Sequence, residues 1–200
     1  MSEAGYVELP VLQWLSGHGS ATSGDKGLGW TYRDEAAMAA FNRPLADPLV
    51  EELLVAAILR INTHVATPEL ARLAVKALRT TMAAPDRLTA NRETLDRLRD
   101  GVSVELVPGE GARTVHFIAF DPEHQHLNDY TASNQYRVQG VKQCRADTVL
   151  LVNGIPLVMA EYKSITASGA EWPQAVHKLH RYQRQAPQML TPNVFCVAAD

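Results

Sequence analysis

Cysteine is scarce in this chain of 200 residues. Cys144 and Cys196 are the only two, too few for a disulfide framework and better suited to reduced thiols inside a cell. Long apolar runs are missing too. No stretch approaches the roughly 18 uninterrupted apolar residues that mark a membrane span, so no membrane partner is expected. The opening decapeptide, MSEAGYVELP, lacks the basic and apolar regions of a secretory signal. The expected compartment is therefore the cytoplasm. Repeats and low-complexity tracts are absent, and a 46% hydrophobic, 20% charged composition excludes a disordered or collagen-like chain. Neither sign of charge prevails: 19 Lys and Arg stand against 22 Asp and Glu, a net charge of -3. That average speaks against nucleic-acid binding by bulk electrostatics.

What is present divides near Gly101. Before it the apolar spacing is helical. Val7, Val11, Trp14 and Leu15 predict a short amphipathic helix over 6–16, followed by a loop at 17–29 with five glycines. Asp47-Pro48 predicts a helix start, with Leu49, Leu53, Leu54, Ala57, Ile58 and Ile61 as its buried stripe to about residue 62. Thr67-Pro68-Glu69 repeats the signal for a helix to about 83, and a third helix near 90–100 ends at Asp100-Gly101. After Gly101 the period becomes two. Val102 to Leu106 and Thr114 to Ile118 alternate as strands, and 121–129 reads as a loop. Tyr136 to Gly140 is a further strand candidate. Thr148 to Val152 and Ile155 to Ala160 are apolar runs of the kind covered on both faces in an α/β sandwich. A helix runs from Glu171-Trp172-Pro173 to Pro187, and Val194 to Ala199 is a last strand. A strand at the extreme C-terminus predicts that the chain is a fragment of something longer.

The chemistry concentrates between Asp147 and Lys163. Asp147 opens one apolar strand and Glu161-Tyr162-Lys163 closes the next. Glu161 and Lys163 share a strand face while Tyr162 points the other way. Ionised groups at the ends of apolar strands are costly unless paired or metal-bound. Two carboxylates can hold Mg²⁺, and a nearby ammonium can orient a water or steady charge on a phosphate. The competing use of Glu161 and Lys163 is a plain ion pair at a strand end. A two-residue loop at Asn153-Gly154 would set Asp147 opposite Ala160, on the other face from Glu161. A three-residue loop, Val152-Asn153-Gly154, pairs Leu151 with Ile155 and makes Glu161 a same-face diagonal neighbour of Asp147, so that turn is predicted.

Longer motifs surround this pair: Asn128-Asp129-Tyr130, Asn134-Gln135-Tyr136, Arg145-Ala146-Asp147, Val152-Asn153-Gly154-Ile155-Pro156-Leu157-Val158 and Glu161-Tyr162-Lys163. Together they resemble the N-terminal nuclease domain of the R subunit of type I restriction–modification enzymes, within the PD-(D/E)xK nuclease superfamily. The likeness is strongest over 128–200 and looser through Leu28-Gly29-Trp30 and Arg60-Ile61-Asn62. It implies an α/β fold: a mixed central β-sheet flanked by helices, a restriction-endonuclease-like core with an N-terminal helical elaboration at about 31–100. It implies one nuclease domain over 1–200, its helical part at about 6–100 and its catalytic sheet and helix at about 102–200. Asp147 and Glu161 match the metal-binding carboxylates, Lys163 the catalytic lysine, and Glu8 an acidic residue contributed from an N-terminal helix. The implied activity is Mg²⁺-dependent hydrolysis of double-stranded DNA with little sequence preference. The implied partners are modification and specificity subunits, and the implied ATP motor lies outside this chain. The alternative is a catalytically silent docking or DNA-contact module of the same assembly.

Three positions depart from the family pattern. Ala146 replaces a proline, Tyr162 replaces an apolar residue, and Lys178 stands where the helix motif Q-x-x-x-Y, ending here at Tyr182, expects glutamine. Gln174, one turn earlier, is the expected substitute. Lys178, Arg181 and Arg184, three apart on one helix, are candidates for DNA phosphates; Arg145 and Gln135 join them as DNA-binding or supporting residues. Gly19 to Gly24 has phosphate-loop glycine spacing but Asp25 where lysine is needed. His124, His126, His177 and His180 lack zinc spacing with the two cysteines, so surface histidines and buried thiols are expected, with Trp172 and Tyr182 as packing residues. The net charge also divides. Residues 1–133 carry 12 basic against 18 acidic side chains, whereas 134–187 carry 7 against 3. The catalytic part is basic.

Overall fold

The computed structural model describes residues 8–17, 27–109, 111–163 and 172–199. Helix α1 (Leu9–Ser16) leads to strand β1 (Thr31–Arg33) and a short helix α2 (Glu35–Ala39). Three longer helices follow: α3 (Glu51–Ile61), α4 (Pro68–Met82) and α5 (Arg87–Asp100). After them come β2 (Val102–Val104), β3 (Arg113–Val115), β4 (Tyr130–Gln139), β5 (Gln143–Val152), β6 (Ile155–Tyr162), α6 (Trp172–Gln185) and β7 (Phe195–Ala199). Val7 and the Gly19–Gly24 loop lie outside the described residues.

Local chemistry fixes the helices. Thr67 Oγ1 caps α4 by accepting from Leu70 N, Pro68 occupies its first turn, and Leu70, Ala71, Ala74, Val75, Leu78 and Met82 are buried at three-to-four spacing. Asp86 caps α5 through Thr89 N at 2.7 Å. The Asp47-Pro48 start is a correction: α3 begins at Glu51. Asp47 instead accepts from Leu49 N at 2.9 Å and from Arg79 Nε of α4 at 2.9 Å. The Val50 N–H is drawn outside the helix by the Gly154 carbonyl, at 2.9 Å. A tertiary bond has overruled a local signal.

Five strands form one mixed sheet in the order β1-β4-β5-β6-β7, with β1/β4 and β6/β7 parallel and the two central pairings antiparallel. Two differences from the sequence reading stand out. β1, only three residues and partly exposed, carries no alternation long enough to read. β2 and β3 form a separate antiparallel ribbon whose Val102 and Val115 pack with α3, α4 and α5. The candidate strand at Tyr136 begins earlier, at Tyr130. Val138, Val149, Leu151 and Met159 build a second core with Tyr182 of α6.

The β5–β6 turn is also a correction. Val152 pairs with Ile155 across a two-residue loop, not Leu151 with Ile155 across three. Asn153 and Gly154 take φ of +54° and +77°, the left-handed conformations that a tight primed hairpin turn demands. Asn153 is favoured there because its buried side chain is fully used. Nδ2 donates to the Phe117 carbonyl and Asn128 Oδ1, and Oδ1 accepts from Asp129 N. Leu151 then pairs with Pro156 but Leu150 with Val158, so Leu157 is an extra residue, a bulge in β6.

Candidate active site

That bulge sets the site. Thr148 pairs with Ala160, and one further step of this register puts Asp147 against Glu161 on the face toward α6. The two carboxyl groups hydrogen-bond each other, and Asp147 Oδ2 accepts from Tyr162 N at 3.0 Å. Burial opposes ionisation of Asp147. The bonds from Glu161, Lys178 and the Tyr162 N–H outweigh it and hold this group below the usual carboxylate range. Glu161 has no exposure to solvent. Burial first, and then the neighbouring Asp147, push it up to about 8. One carboxylate ionises easily and its neighbour resists.

Helix α6 faces this pair with two residues one turn apart. The Tyr182 hydroxyl lies 2.8 Å from Glu161 Oε1 and also meets the Arg145 carbonyl. Lys178 Nζ donates to Asp147 Oδ1 at 2.8 Å and ion-pairs with Glu161 Oε2. Burial disfavours the Lys178 charge, but the two carboxylates reverse that and raise its pKa. Lys178 thus turns toward the carboxyl groups, apart from Arg181 and Arg184 in the row of three. Only the last two are exposed. Gln174 is exposed as well and does not fill the glutamine's place; the side chain that meets the carboxylates is Lys178.

Glu8, immediately before α1, is 4% exposed. Its Oε2 is 3.5 Å from Gln135 Nε2, and its Oε1 is buried with no hydrogen-bond partner. Burial raises its pKa, with hydrogen bonds from Asn134 and Gln135 opposing and the Asp147 charge reinforcing the rise. Gln135 has a φ of +54°, an uncommon conformation for a non-glycine residue that clusters at functional sites. It falls where the β4–β5 ladder skips a step, between Asn134↔Thr148 and Tyr136↔Ala146, directly across from Asp147. Lys163 directly follows β6, its N–H donating to the Ala199 carbonyl at 2.9 Å. Arg145 is exposed on β5, and its carbonyl takes part in anchoring Tyr182.

The sequence reading missed Asn134 and the inward reach of Lys178. A lysine four residues before a buried tyrosine was the available signal, since i and i+4 share a helix face. His124, His126, His177 and His180 are exposed. Cys144 is buried but Cys196 is exposed on the edge strand, and Trp172 is 49% exposed; the buried-thiol and packing expectations are corrected at these two positions.

Does this donor set suit a divalent metal? The groups are all oxygen, as Mg²⁺ requires. The Asp147–Glu161 pair already draws a cation, the Lys178 ammonium, and Glu8 supplies an orphaned buried oxygen nearby. Among the described residues no three His, Cys, Asp or Glu side chains are gathered as a complete metal cage. The residues fit a two-carboxylate site.

Asp147 lies midway along β5, which begins at Gln143, and not at the strand start that the sequence suggested, while Glu161 lies near the end of β6. A mixed five-stranded sheet flanked by helices, with such an Asp and Glu paired across adjacent strands, is a restriction-endonuclease-like core. The profile of the family "Type I restriction enzyme R protein N terminus" matches residues 1–200, and the chain belongs to that family. Two curated relatives agree. One, named as the MjaVIIIP type I restriction enzyme endonuclease subunit of Methanocaldococcus jannaschii, is 23% identical over 171 residues, 85% of this chain and 16% of the relative. The other, the HindI type I restriction enzyme endonuclease subunit of Haemophilus influenzae, is 26% identical over 179 residues, 86% of this chain and 17% of the relative. The chain thus spans about a sixth of their length. No helix among the described residues is long and apolar enough to cross a membrane.

Proposed function

We propose that this chain is the DNA-cleaving domain of a type I restriction–modification assembly, hydrolysing phosphodiester bonds of double-stranded DNA with Mg²⁺. The observation that carries this reading is the direct apposition of Asp147 and Glu161 on one sheet face, each held by bonds to a neighbouring element. Asp147 and Glu161 would hold the metal, which supplies Lewis-acid stabilisation of phosphate charge and a more acidic bound water. Tyr182 fixes the orientation of Glu161. Lys163, next along the strand after Tyr162, steadies the attacking water or the developing charge. Glu8 is the third acidic group, and Gln135 holds it.

Exposed Arg181, Arg184 and Arg145 are placed to contact DNA phosphates. Such contacts position the duplex without reading its sequence, consistent with little intrinsic preference. In the whole assembly, in a cytoplasmic setting, target choice would fall to a specificity subunit. ATP-driven movement would fall to motor domains beyond this chain, alongside a modification subunit.

One observation favours a second reading, a silent docking or DNA-contact module: the Lys178 ammonium already contacts both carboxyl groups. Cleavage of supercoiled plasmid by the complete assembly separates the two. Asp147→Ala and Lys163→Ala should each abolish nicking; cleavage equal to wild type by both variants leaves only the silent module.

A further inference from the structure

Three of the four oxygens of the Asp147–Glu161 pair accept hydrogen bonds from the chain's own donors, and the fourth, Glu161 Oε2, has the Lys178 ammonium as its ion-pair partner. The Tyr162 N–H holds Asp147 Oδ2 and the Tyr182 hydroxyl meets Glu161 Oε1. Both remaining oxygens, Asp147 Oδ1 and Glu161 Oε2, face the single Lys178 ammonium. A divalent ion held by Asp147 and Glu161 would compete with that ammonium for the same carboxyl groups. Backbone and tyrosine donors leave room for a ligand's charge; an ammonium seated between two carboxylates competes for it.

We infer that Lys178 is a tethered competitor for the metal, leaving the Asp147–Glu161 pair when a divalent ion enters and moving its ammonium toward Glu8, whose Oε1 has no hydrogen-bond partner. This rests on the proposed metal site and deepens it. Lysine suits the exchange because its charge is a compact point on a flexible four-carbon stem. Its side chain keeps 22% exposure, so the ammonium is not sealed within the pair. Glu8 suits the receiving role because Oε1 is buried and unpartnered, a position that favours an incoming donor. The Lys178 charge already acts on the Glu8 carboxyl and favours its ionised form. A glutamine at 178 would offer the carboxylates a neutral amide, so the lysine makes this site harder to load with metal.

Binding of Mn²⁺ to the 200-residue chain, followed by the loss of the free-ion paramagnetic resonance signal, tests the inference without any cleavage assay. Thermal shift against Mn²⁺ concentration gives an independent reading of the same affinity. Lys178→Gln should bind Mn²⁺ about tenfold tighter than wild type or better, since a charge-assisted contact no longer has to be broken. Lys178→Met should do likewise if the glutamine variant folds poorly, and Lys178→Arg, which keeps the cation, should not tighten binding. Glu8→Gln should weaken Mn²⁺ binding more when Lys178 is present than in the Lys178→Gln background. Equal affinity in wild type and Lys178→Gln, both abolished by Asp147→Asn, overturns the competitor role and leaves the metal site standing. Equal weakening by Glu8→Gln in both backgrounds overturns the receiving role. Absence of any binding sensitive to Asp147→Asn, in every variant, overturns the metal site itself.

Discussion

Glu161 is a carboxyl group sealed from water, and its charge state governs how the site responds to pH. In the unfolded chain it titrates near 4.5, and in the folded protein near 8. The folded state therefore keeps a proton that the unfolded state has released. A group shifted in this direction adds stability that is complete below its unfolded value and lost as pH climbs through the folded one. In chelator-containing buffer, wild-type stability should fall as pH rises from 4.5 to about 8. Glu161→Gln should flatten that decline, read by urea unfolding across the interval. Parallel curves for the two proteins would show that Glu161 titrates normally. Asp147 acts in the opposite sense: its lowered value gives stability that disappears on acidification, so Asp147→Asn should reduce the acid sensitivity of the fold. Tyr182→Phe removes one hydroxyl that two buried acceptors use. It should cost about 1–3 kcal/mol in chemical denaturation, with the helix content unchanged by circular dichroism.

The β5–β6 hairpin concentrates the structural risk at the level of elements. Gly154 has a φ of +77°, and a Cβ there would stand 2.5 Å from the Val50 carbonyl oxygen. Gly154→Ala should therefore destabilise by more than the roughly 1 kcal/mol of a simple left-handed penalty, measured as a lower unfolding midpoint. A shift no larger than that of an exposed Gly109→Ala control would contradict the close approach. The same hairpin shows what a sequence reveals. Asp147 and Glu161 can share a face only if one extra residue interrupts a simple two-residue hairpin, and that requirement is readable from spacing. Its location is not: alternation cannot distinguish a longer turn from a bulge at Leu157, because both restore the same faces. Caps and periodicity made α4 and the end of α5 legible. Asp47 misled because its carboxylate is bound by Arg79, 32 residues away. β1 stayed hidden because three half-exposed residues have no pattern of their own. Lys178 was visible as an anomaly, but its direction depended on where α6 packs.

Across the whole molecule, the N-terminal segment is part of the sheet and the site. β1 covers the outer edge of β4 at Thr131, Ala132 and Ser133, α1 packs Leu12 and Leu15 near Ala132, and Glu8 reaches Gln135. Deleting residues 1–33 should expose an edge that invites association between chains, seen as higher-order species in size-exclusion chromatography. A monomer of native stability would show β1 to be dispensable. The charge division follows the chain, since the acidic surplus lies in residues 1–133, which hold α3, α4 and α5, and the basic surplus in 134–187, which hold the carboxylates. Glu8 and Gln135 are 127 positions apart in the chain, and Lys178 and Tyr182 come later still. Proteins are made from the N-terminus and their domains close as units. A nascent chain thus contains Asp147 and Glu161 before the helix that orients them has been added. Under the proposed function, a product interrupted before α6 lacks Lys178 and Tyr182 and so has no oriented carboxyl pair.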